Sequence, residues 1–225
     1  KNANSQAKIK TDILIIAAGC RPNISVAKSA GCLIGKTGGI VVNSKSETSK
    51  KNIYAAGDCT EFIDFVSKRP TCIGLGSIAV RQAIAAGINA CGGNYSLPNG
   101  VLQTCTSTFF GHEVSAVGLS DRYLKNYNTV QAKYKGSSLP EYFPGGKKII
   151  IKLTVDLDSN KILSVQAVGD KAAQRINTFA AAILSNTDIY KFSKLETAYA
   201  PPIAPTLDAE TIVCDILIKK LSRKK

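Results

Sequence analysis

Short apolar runs alternate with glycine-rich turns in the first part of the chain. A longer run over 77–91 has apolar positions close to helical spacing, so it predicts a helix that packs against a sheet. A stretch rich in Gly, Asn and Pro follows this helix and indicates a linker. Three runs have the length of short buried strands: 13–18, 40–42 and 53–56. The pattern predicts an α/β unit that ends near residue 98.

Beyond residue 98 the predicted strands are longer and the helices come last. The turn residues over 158–160 join the last two strands as a hairpin. A helix is predicted over 171–185, and Asp208 is expected to cap a second one, with Glu210 at the positive end of its dipole. The five strands are predicted over 101–110, 113–118, 129–135, 147–156 and 162–168. Strands followed by helices predict a separate α+β domain over 99–225.

Composition indicates a folded protein with reduced thiols. The chain has 225 residues, of which 44% are hydrophobic, enough to bury a sizeable core. Its seven cysteines form no CxxC pair and no metal-type cluster, so we expect a cytoplasmic protein without a metal site. The lone His112 is expected to be partly buried and structural. No stretch is apolar enough to cross a membrane, and the absence of Met suggests a piece of a longer polypeptide.

The net charge of +13 raises the possibility of nucleic-acid binding. The basic residues are dispersed, however, and the densest group lies at the C-terminus, where cations also complement a helix dipole. That group comprises Lys219, Lys220, Arg223, Lys224 and Lys225. The pattern favours small anionic nucleotides over nucleic acid as partners.

Asp58 is the first candidate for chemistry. It follows the predicted strand 53–56 and Gly57, whose missing side chain lets a cofactor approach closely. In open α/β sheets ligands bind at the carboxyl ends of strands, where an acid can accept hydrogen bonds from sugar or polyol hydroxyls. The alternative is that Asp58 caps a turn or a helix, and spacing alone leaves both interpretations open.

A glycine motif over 74–79 matches the dinucleotide fingerprint G-x-G-x-x-A only superficially. No apolar strand leads into it, and no acid lies at the expected distance after it. The glycines still precede a helix, whose free N–H groups favour partial negative charge. A ligand contact therefore remains open there, although a dinucleotide fingerprint is not predicted.

Three segments, in order along the chain, resemble one family. TSKKNIYAAGDC over 48–59 resembles the second flavin-binding motif of the FAD-dependent pyridine nucleotide-disulfide oxidoreductases. TDILIIAAGCRPN over 11–23 resembles the strand and turn by which that family's chain leaves its NAD(P)H domain. ETAYAPPIAPTLD over 196–208 is similar to a dimerisation-domain segment of the coenzyme A-disulfide reductases and NADH oxidase-like enzymes. Together they span most of the chain.

The resemblance implies a fold and a cofactor site. The fold class would be α/β: a partial FAD/NAD(P)-binding three-layer domain over 1–98, then an α+β dimerisation domain over 99–225. Asp58 would bind the ribityl chain of FAD, and Gly57 would be a further cofactor-binding residue. The N-terminus of the following helix, at Ser77, Ile78 and Ala79, would face the pyrimidine edge of the flavin.

The resemblance also implies two catalytic candidates. Tyr199 lies in the AYAPP segment and Tyr142 in a segment, EYFPG, that resembles a turn of the coenzyme A-disulfide reductases. In that branch, tyrosines from these segments reach across a homodimer toward the partner's redox-active cysteine. The other interpretation is that both tyrosines simply pack in an interface.

The implied function is electron transfer from NAD(P)H through FAD to a disulfide, a persulfide or oxygen, with a coenzyme A-type thiol among the expected small-molecule partners. The family's first FAD fingerprint, its NAD(P)H fingerprint and its redox cysteine precede the matched segments, and none is found in this sequence. The chain alone is therefore expected to be incomplete and inactive. The alternatives are a non-catalytic dimerisation scaffold and, less favoured, a basic nucleic-acid-binding protein.

Overall fold

The computed structural model describes residues 8–223. The first part contains a small three-stranded sheet in which β2 lies between a parallel β1 and an antiparallel β3. The long helix α2 packs beside it. The elements are α1 (Ser25–Ser29), β1 (Ile40–Val41), β2 (Thr60–Ile63), β3 (Pro70–Thr71) and α2 (Gly76–Ala90).

The second part is a five-stranded antiparallel sheet with the order β4-β5-β8-β7-β6. Helix α4 covers β5 and β8, and helix α6 covers β6 and β7. The strands are β4 (Cys105–Phe109), β5 (His112–Gly118), β6 (Thr129–Ser137), β7 (Lys148–Asp156) and β8 (Ile162–Gly169). The helices are α3 (Asp121–Leu124), α4 (Ala172–Leu184), α5 (Ile189–Phe192) and α6 (Ala209–Ser222).

The main core lies between this sheet and its two long helices. Alternate residues of β7, from Ile149 to Val155, point to the helices and are fully buried. This follows from the two-residue period of a strand, which puts every second side chain on the same face. Phe179 of α4 and Leu217 of α6 complete the core from the helical side. The core therefore fixes both helices, and with them the loops that precede them.

Several predictions are confirmed by these elements. The β7–β8 hairpin forms, and helices lie within one residue of the predicted 77–91 and 171–185. The Asp208 carboxylate accepts from the Glu210 N–H and caps α6. An α/β part followed by an α+β part is the observed architecture. The exact division at residue 98 stays a prediction.

The predicted strand 13–18 does not form. Ile13, Leu14, Ile15 and Ile16 are 77–82% exposed, and no strand within 8–223 pairs with them. An apolar run becomes a strand only when neighbouring strands satisfy its backbone groups. The apolar run alone therefore did not determine a strand here.

The strand expected at 53–56 is also wrong. This stretch makes only one bridge, between Tyr54 and Glu47. The strand lies instead after the glycine-aspartate motif, at Thr60–Ile63. Within it, the buried Glu61 carboxylate accepts hydrogen bonds from the backbone N–H and the hydroxyl of Thr37, each at 2.6 Å. Because Oε2 of Glu61 accepts both of these hydrogen bonds, the strand tolerates a buried carboxylate.

Two smaller expectations are corrected. The strand predicted over 101–110 begins only at Cys105, because Gln103 has a left-handed φ of 57° and interrupts the extended backbone. His112 is exposed rather than partly buried, since it stands at the tip of the β4–β5 hairpin opposite Phe109. Among residues 8–223, no helix has the length and apolar character needed to cross a membrane.

Candidate functional site

The glycine-aspartate motif forms a turn that leads into β2. Gly57 has a φ of +90°, a left-handed conformation that costs glycine little. Its carbonyl accepts hydrogen bonds from the backbone N–H of Thr60 at 3.0 Å and from the Thr60 hydroxyl at 2.8 Å. Asp58 therefore precedes a strand, and the expectation that it ends one is wrong. The turn still presents its side chain outward.

Helix α2 supports this turn from behind. The buried Gln82 side chain accepts a hydrogen bond from the Gly57 N–H at 2.8 Å. A Cβ added to Gly57 would lie 3.5 Å from the Cβ of Ala79, so the turn rests against the first turns of the helix. Two predicted cofactor residues, Gly57 and Ala79, are thus neighbours in space.

The Asp58 carboxylate is not committed to the protein. It is exposed and accepts no hydrogen bond from any described residue. It lies beside Gly74, where an added Cβ would come within 3.3 Å of Asp58 Oδ2. The Cys72 thiol donates to the Asp58 carbonyl at 3.4 Å, and burial raises the pKa of that thiol, which keeps it a donor. The carboxylate is free to accept from a ligand.

The N-terminus of α2 opens beside this carboxylate. Leu75 is the N-cap and provides no side-chain cap, and the Gly76 and Ser77 amides have no backbone acceptor in the described part of the chain. Free amides at a helix N-terminus carry partial positive charge and bind acceptor oxygens. The structure thus places an acceptor, Asp58, and donors, near Ser77, at the same end of the helix.

A cavity of about 470 Å³ lies between α2 and α4. Ser77 and Ile78 line it from α2, and Asn177 lines it from α4. Its volume lies within the range of small-molecule sites. The exposed end of α2 therefore adjoins enough open space for part of a bound organic molecule.

The two tyrosines singled out by the sequence are in contact. The hydroxyl oxygens of Tyr142 and Tyr199 lie 3.0 Å apart, and either can donate to the other. Both rings are accessible, with 71% and 48% of their surface exposed. The hydrogen bond to Tyr199, together with partial desolvation, raises the pKa of Tyr142, so this phenol stays protonated and can donate. No contact joins the pair to the Asp58 turn within the described residues.

A buried charge cluster between α4 and α6 was not predicted as a unit. Arg175 of α4 donates two hydrogen bonds to the Asp208 carboxylate, at 2.6 and 2.9 Å, and a third to the Asp170 carbonyl at 2.8 Å. Glu210 lies in the first turn of α6, as predicted, and is buried. Burial and the nearby Asp208 raise its pKa to about 7. The cluster ties α4 to the start of α6.

The other polar candidates do not assemble into a site. All seven cysteines lie within the described range and are unpaired. No group of three or more His, Cys, Asp or Glu side chains among residues 8–223 is arranged to hold a metal ion. Residues 57–58 with 77–79, and the tyrosine pair, are therefore the two candidate groups for a cofactor or a reaction.

Comparison with known families places both groups in context. A family model described as pyridine nucleotide-disulphide oxidoreductase matches residues 1–86. The model of the dimerisation domain of the same family matches residues 104–210. The two matches together include every predicted site residue and cover most of the chain.

Individual relatives match nearly the whole chain. An NAD(P)H sulfur oxidoreductase (CoA-dependent) from Pyrococcus abyssi is 35% identical over 96% of this chain and 49% of its own length. An NADH oxidase from Methanocaldococcus jannaschii is 38% identical over 95% of this chain and 48% of its own. The solved structure of an NAD-dependent persulfide reductase from A. fulgidus superimposes with a TM-score of 0.90 at 29% identity, over 95% of this chain and 40% of its own. The chain thus spans about half the length of the curated relatives it matches.

Proposed function

We propose that this chain provides one part of the flavin site and the dimerisation domain of an FAD-dependent NAD(P)H oxidoreductase. The chain belongs to the pyridine nucleotide-disulphide oxidoreductase family. The observation that carries the proposal is the free Asp58 carboxylate beside the free amides of α2. A purely structural turn would use that carboxylate as a cap. Here, among residues 8–223, the Asp58 carboxylate caps no backbone amide, although the Gly76 and Ser77 amides nearby have no backbone acceptor, so it is left for a ligand.

The residues present fit FAD at this position. The Asp58 carboxylate can accept from ribityl hydroxyls, and Gly57 has no side chain to obstruct them. The amides near Ser77 can donate to the carbonyl oxygens of the flavin's pyrimidine edge, with Ile78 and Ala79 beside them. FAD, when bound, supplies the hydride and electron chemistry, which the protein directs by orientation and electrostatics. The contribution of this chain is to bind and orient.

The tyrosine pair would serve the second half of the reaction. An exposed phenol can reach a partner subunit, and mutual hydrogen bonding orients Tyr142 and Tyr199 before any substrate arrives. In a homodimer, Tyr199 would donate a hydrogen bond to a developing thiolate and hold it beside the flavin. We assign the main role to Tyr199 and a supporting one to Tyr142.

The proposed acceptor is a disulfide or persulfide, including those of coenzyme A-type thiols. Support comes from the relatives named as a sulfur oxidoreductase and as a persulfide reductase. Oxygen is the competing acceptor, since another similar relative is named an NADH oxidase. Steady-state rates with coenzyme A disulfide, polysulfide and oxygen, measured with NADH and with NADPH, separate these acceptors and donors.

The decisive test of the flavin site is Asp58→Asn in the complete polypeptide. Loss of a charged acceptor for hydroxyl groups is expected to weaken FAD binding by about tenfold to a hundredfold, measured by flavin fluorescence during titration of the apoprotein. Asp121→Asn is the matched control, because Asp121 is an exposed acid in a surface ion pair with Lys152. Equal FAD affinity in both variants would contradict the role of Asp58.

Size and colour test the wider proposal. A yellow homodimer on gel filtration is expected for the complete polypeptide. A colourless dimer would favour a scaffold, and steeply salt-dependent retention on immobilised nucleic acid would favour the third alternative.

A further inference from the structure

The buried face of α2 contains an unexpected amide. Three of its residues are buried, Gln82, Ala85 and Asn89, and two of them are polar. Gln82 is only 2% exposed. Such positions are ordinarily apolar, because a buried amide must replace the hydrogen bonds it loses from water. The partners of Gln82 therefore indicate what its presence achieves.

One set of partners is the glycine-aspartate turn. Gln82 Oε1 accepts from the Gly57 N–H at 2.8 Å and lies 3.1 Å from the Thr60 hydroxyl. That hydroxyl also points to the Gly57 carbonyl at 2.8 Å, so its one hydrogen is shared between two acceptors. Both sides of Gly57, its N–H and its C=O, are thus fixed. The direction in which the chain continues to Asp58 is therefore fixed.

A second contact reaches Gln82 from the segment before the motif. Ser46 is fully buried with a left-handed φ of 60°, and its hydroxyl donates to the backbone carbonyl of Gln82 at 2.9 Å. The Ser46 carbonyl in turn accepts from the Ala55 N–H at 3.1 Å. The segment before residues 55–57 is therefore anchored to the α2 backbone at residue 82, a contact that does not depend on the Gln82 side chain.

We infer that Gln82 is a positioning residue for the flavin site, acting through the Gly57 peptide to hold the Asp58 carboxylate ready for a ribityl hydroxyl. The inference rests on the proposed function. Its physical basis is preorganisation: a carboxylate that is already aligned loses less conformational entropy when the ligand binds. This role requires no direct contact between Gln82 and the cofactor. Its effect appears in FAD affinity.

The same helix contains a matched control. Asn89 is the other buried amide of this face, two turns further along α2. Its side chain donates to the Lys45 and Tyr95 carbonyls and accepts from the Tyr95 N–H, all within 3.0 Å. Replacing Asn89 therefore removes a comparable buried network without touching the turn at Gly57.

The experiment measures FAD affinity and thermal stability in the complete polypeptide. Gln82→Leu keeps the volume but removes the acceptor, and is expected to weaken FAD binding about tenfold. Asn89→Leu is expected to lower the melting temperature at least as much, with FAD affinity changed by less than about twofold. Gln82→Glu restores an acceptor for the Gly57 N–H and should recover part of the affinity. If Gln82→Leu does not fold, Gln82→Asn, whose oxygen is drawn back by one methylene, replaces it.

The possible results distinguish the positioning role of Gln82 from the proposed flavin-binding function. Equal loss of FAD affinity in Gln82→Leu and Asn89→Leu overturns the positioning role, since general destabilisation would then explain both. Unchanged affinity in Gln82→Leu overturns it as well, while leaving the flavin site intact. A wild-type polypeptide that binds no FAD overturns the proposed function, and the inference with it.

Discussion

The buried Glu210 makes stability depend on pH in a way that one substitution can test. Its side chain is 5% exposed, and its Oε2 has no hydrogen-bond partner in the described residues. Burial and the neighbouring Asp208 raise its pKa from 4.5 to about 7, although Arg175 opposes them. The folded protein therefore holds a proton on Glu210 that the unfolded chain releases. The perturbation is Glu210→Gln, which keeps the shape and cannot titrate.

The size of the effect follows from the two pKa values. Because the folded-state pKa is the higher one, the stabilisation by this proton is complete below pH 4.5 and is lost as the pH rises to about 7. Moving a pKa from 4.5 to about 7 corresponds to about 3 kcal/mol. Wild type should lose about that much free energy of unfolding relative to Glu210→Gln across this interval.

Urea unfolding followed by circular dichroism measures this difference. The two proteins are compared at several pH values, so the titrations that they share cancel and only residue 210 contributes. We expect the stability of Glu210→Gln relative to wild type to increase steadily with pH between 4.5 and 7. Parallel profiles for the two proteins would refute the reasoning and show that Glu210 ionises normally in the folded state.

Three further predictions concern the tyrosine pair, the ion pair and one glycine. Tyr199→Phe should lower the pKa of Tyr142 toward its ordinary value, which ultraviolet titration would detect. It should also slow thiol or disulfide turnover about tenfold while flavin stays bound, and unchanged turnover would exclude a catalytic role. Arg175→Met should lower the free energy of unfolding by about 3–5 kcal/mol, because the buried Asp208 carboxylate is left without its partner. Adding Asp208→Asn should restore part of that stability in urea unfolding. Gly118→Ala should destabilise by more than about 1 kcal/mol, because φ is +84° and the new Cβ would collide with a β8 carbonyl; an unchanged melting temperature would contradict this.

The sequence predicted those parts of the fold that depend on local signals. The β7–β8 hairpin and the Asp208 cap are each encoded within a few residues. The run at 13–18 failed because burial is decided by partners that periodicity does not reveal. The strand Thr60–Ile63 was missed for the opposite reason: two of its four residues are polar, and the buried Glu61 accepts both hydrogen bonds from Thr37 at Oε2.

The site was predicted residue by residue but not as an assembly. Motif resemblance found Asp58 and both tyrosines, yet the Tyr142–Tyr199 contact joins residues 57 positions apart and needed the structure. Gln82 lies 25 positions from Gly57, and no motif connects the two residues. A polar residue on the apolar side of a predicted amphipathic helix was the one available signal.

The strand order β4-β5-β8-β7-β6 has a consequence for how the second sheet folds. The β4–β5, β6–β7 and β7–β8 pairs join strands that follow one another in the chain, so each can close early as a local hairpin. The β5–β8 pair closes a loop that contains all of β6 and β7. The intervening chain must lose conformational entropy before the β5–β8 hydrogen bonds can form and compensate for that loss. We therefore expect β5–β8 docking to limit the folding rate, with substitutions at Val117, which is paired with Val165 at that seam, slowing folding more than they accelerate unfolding.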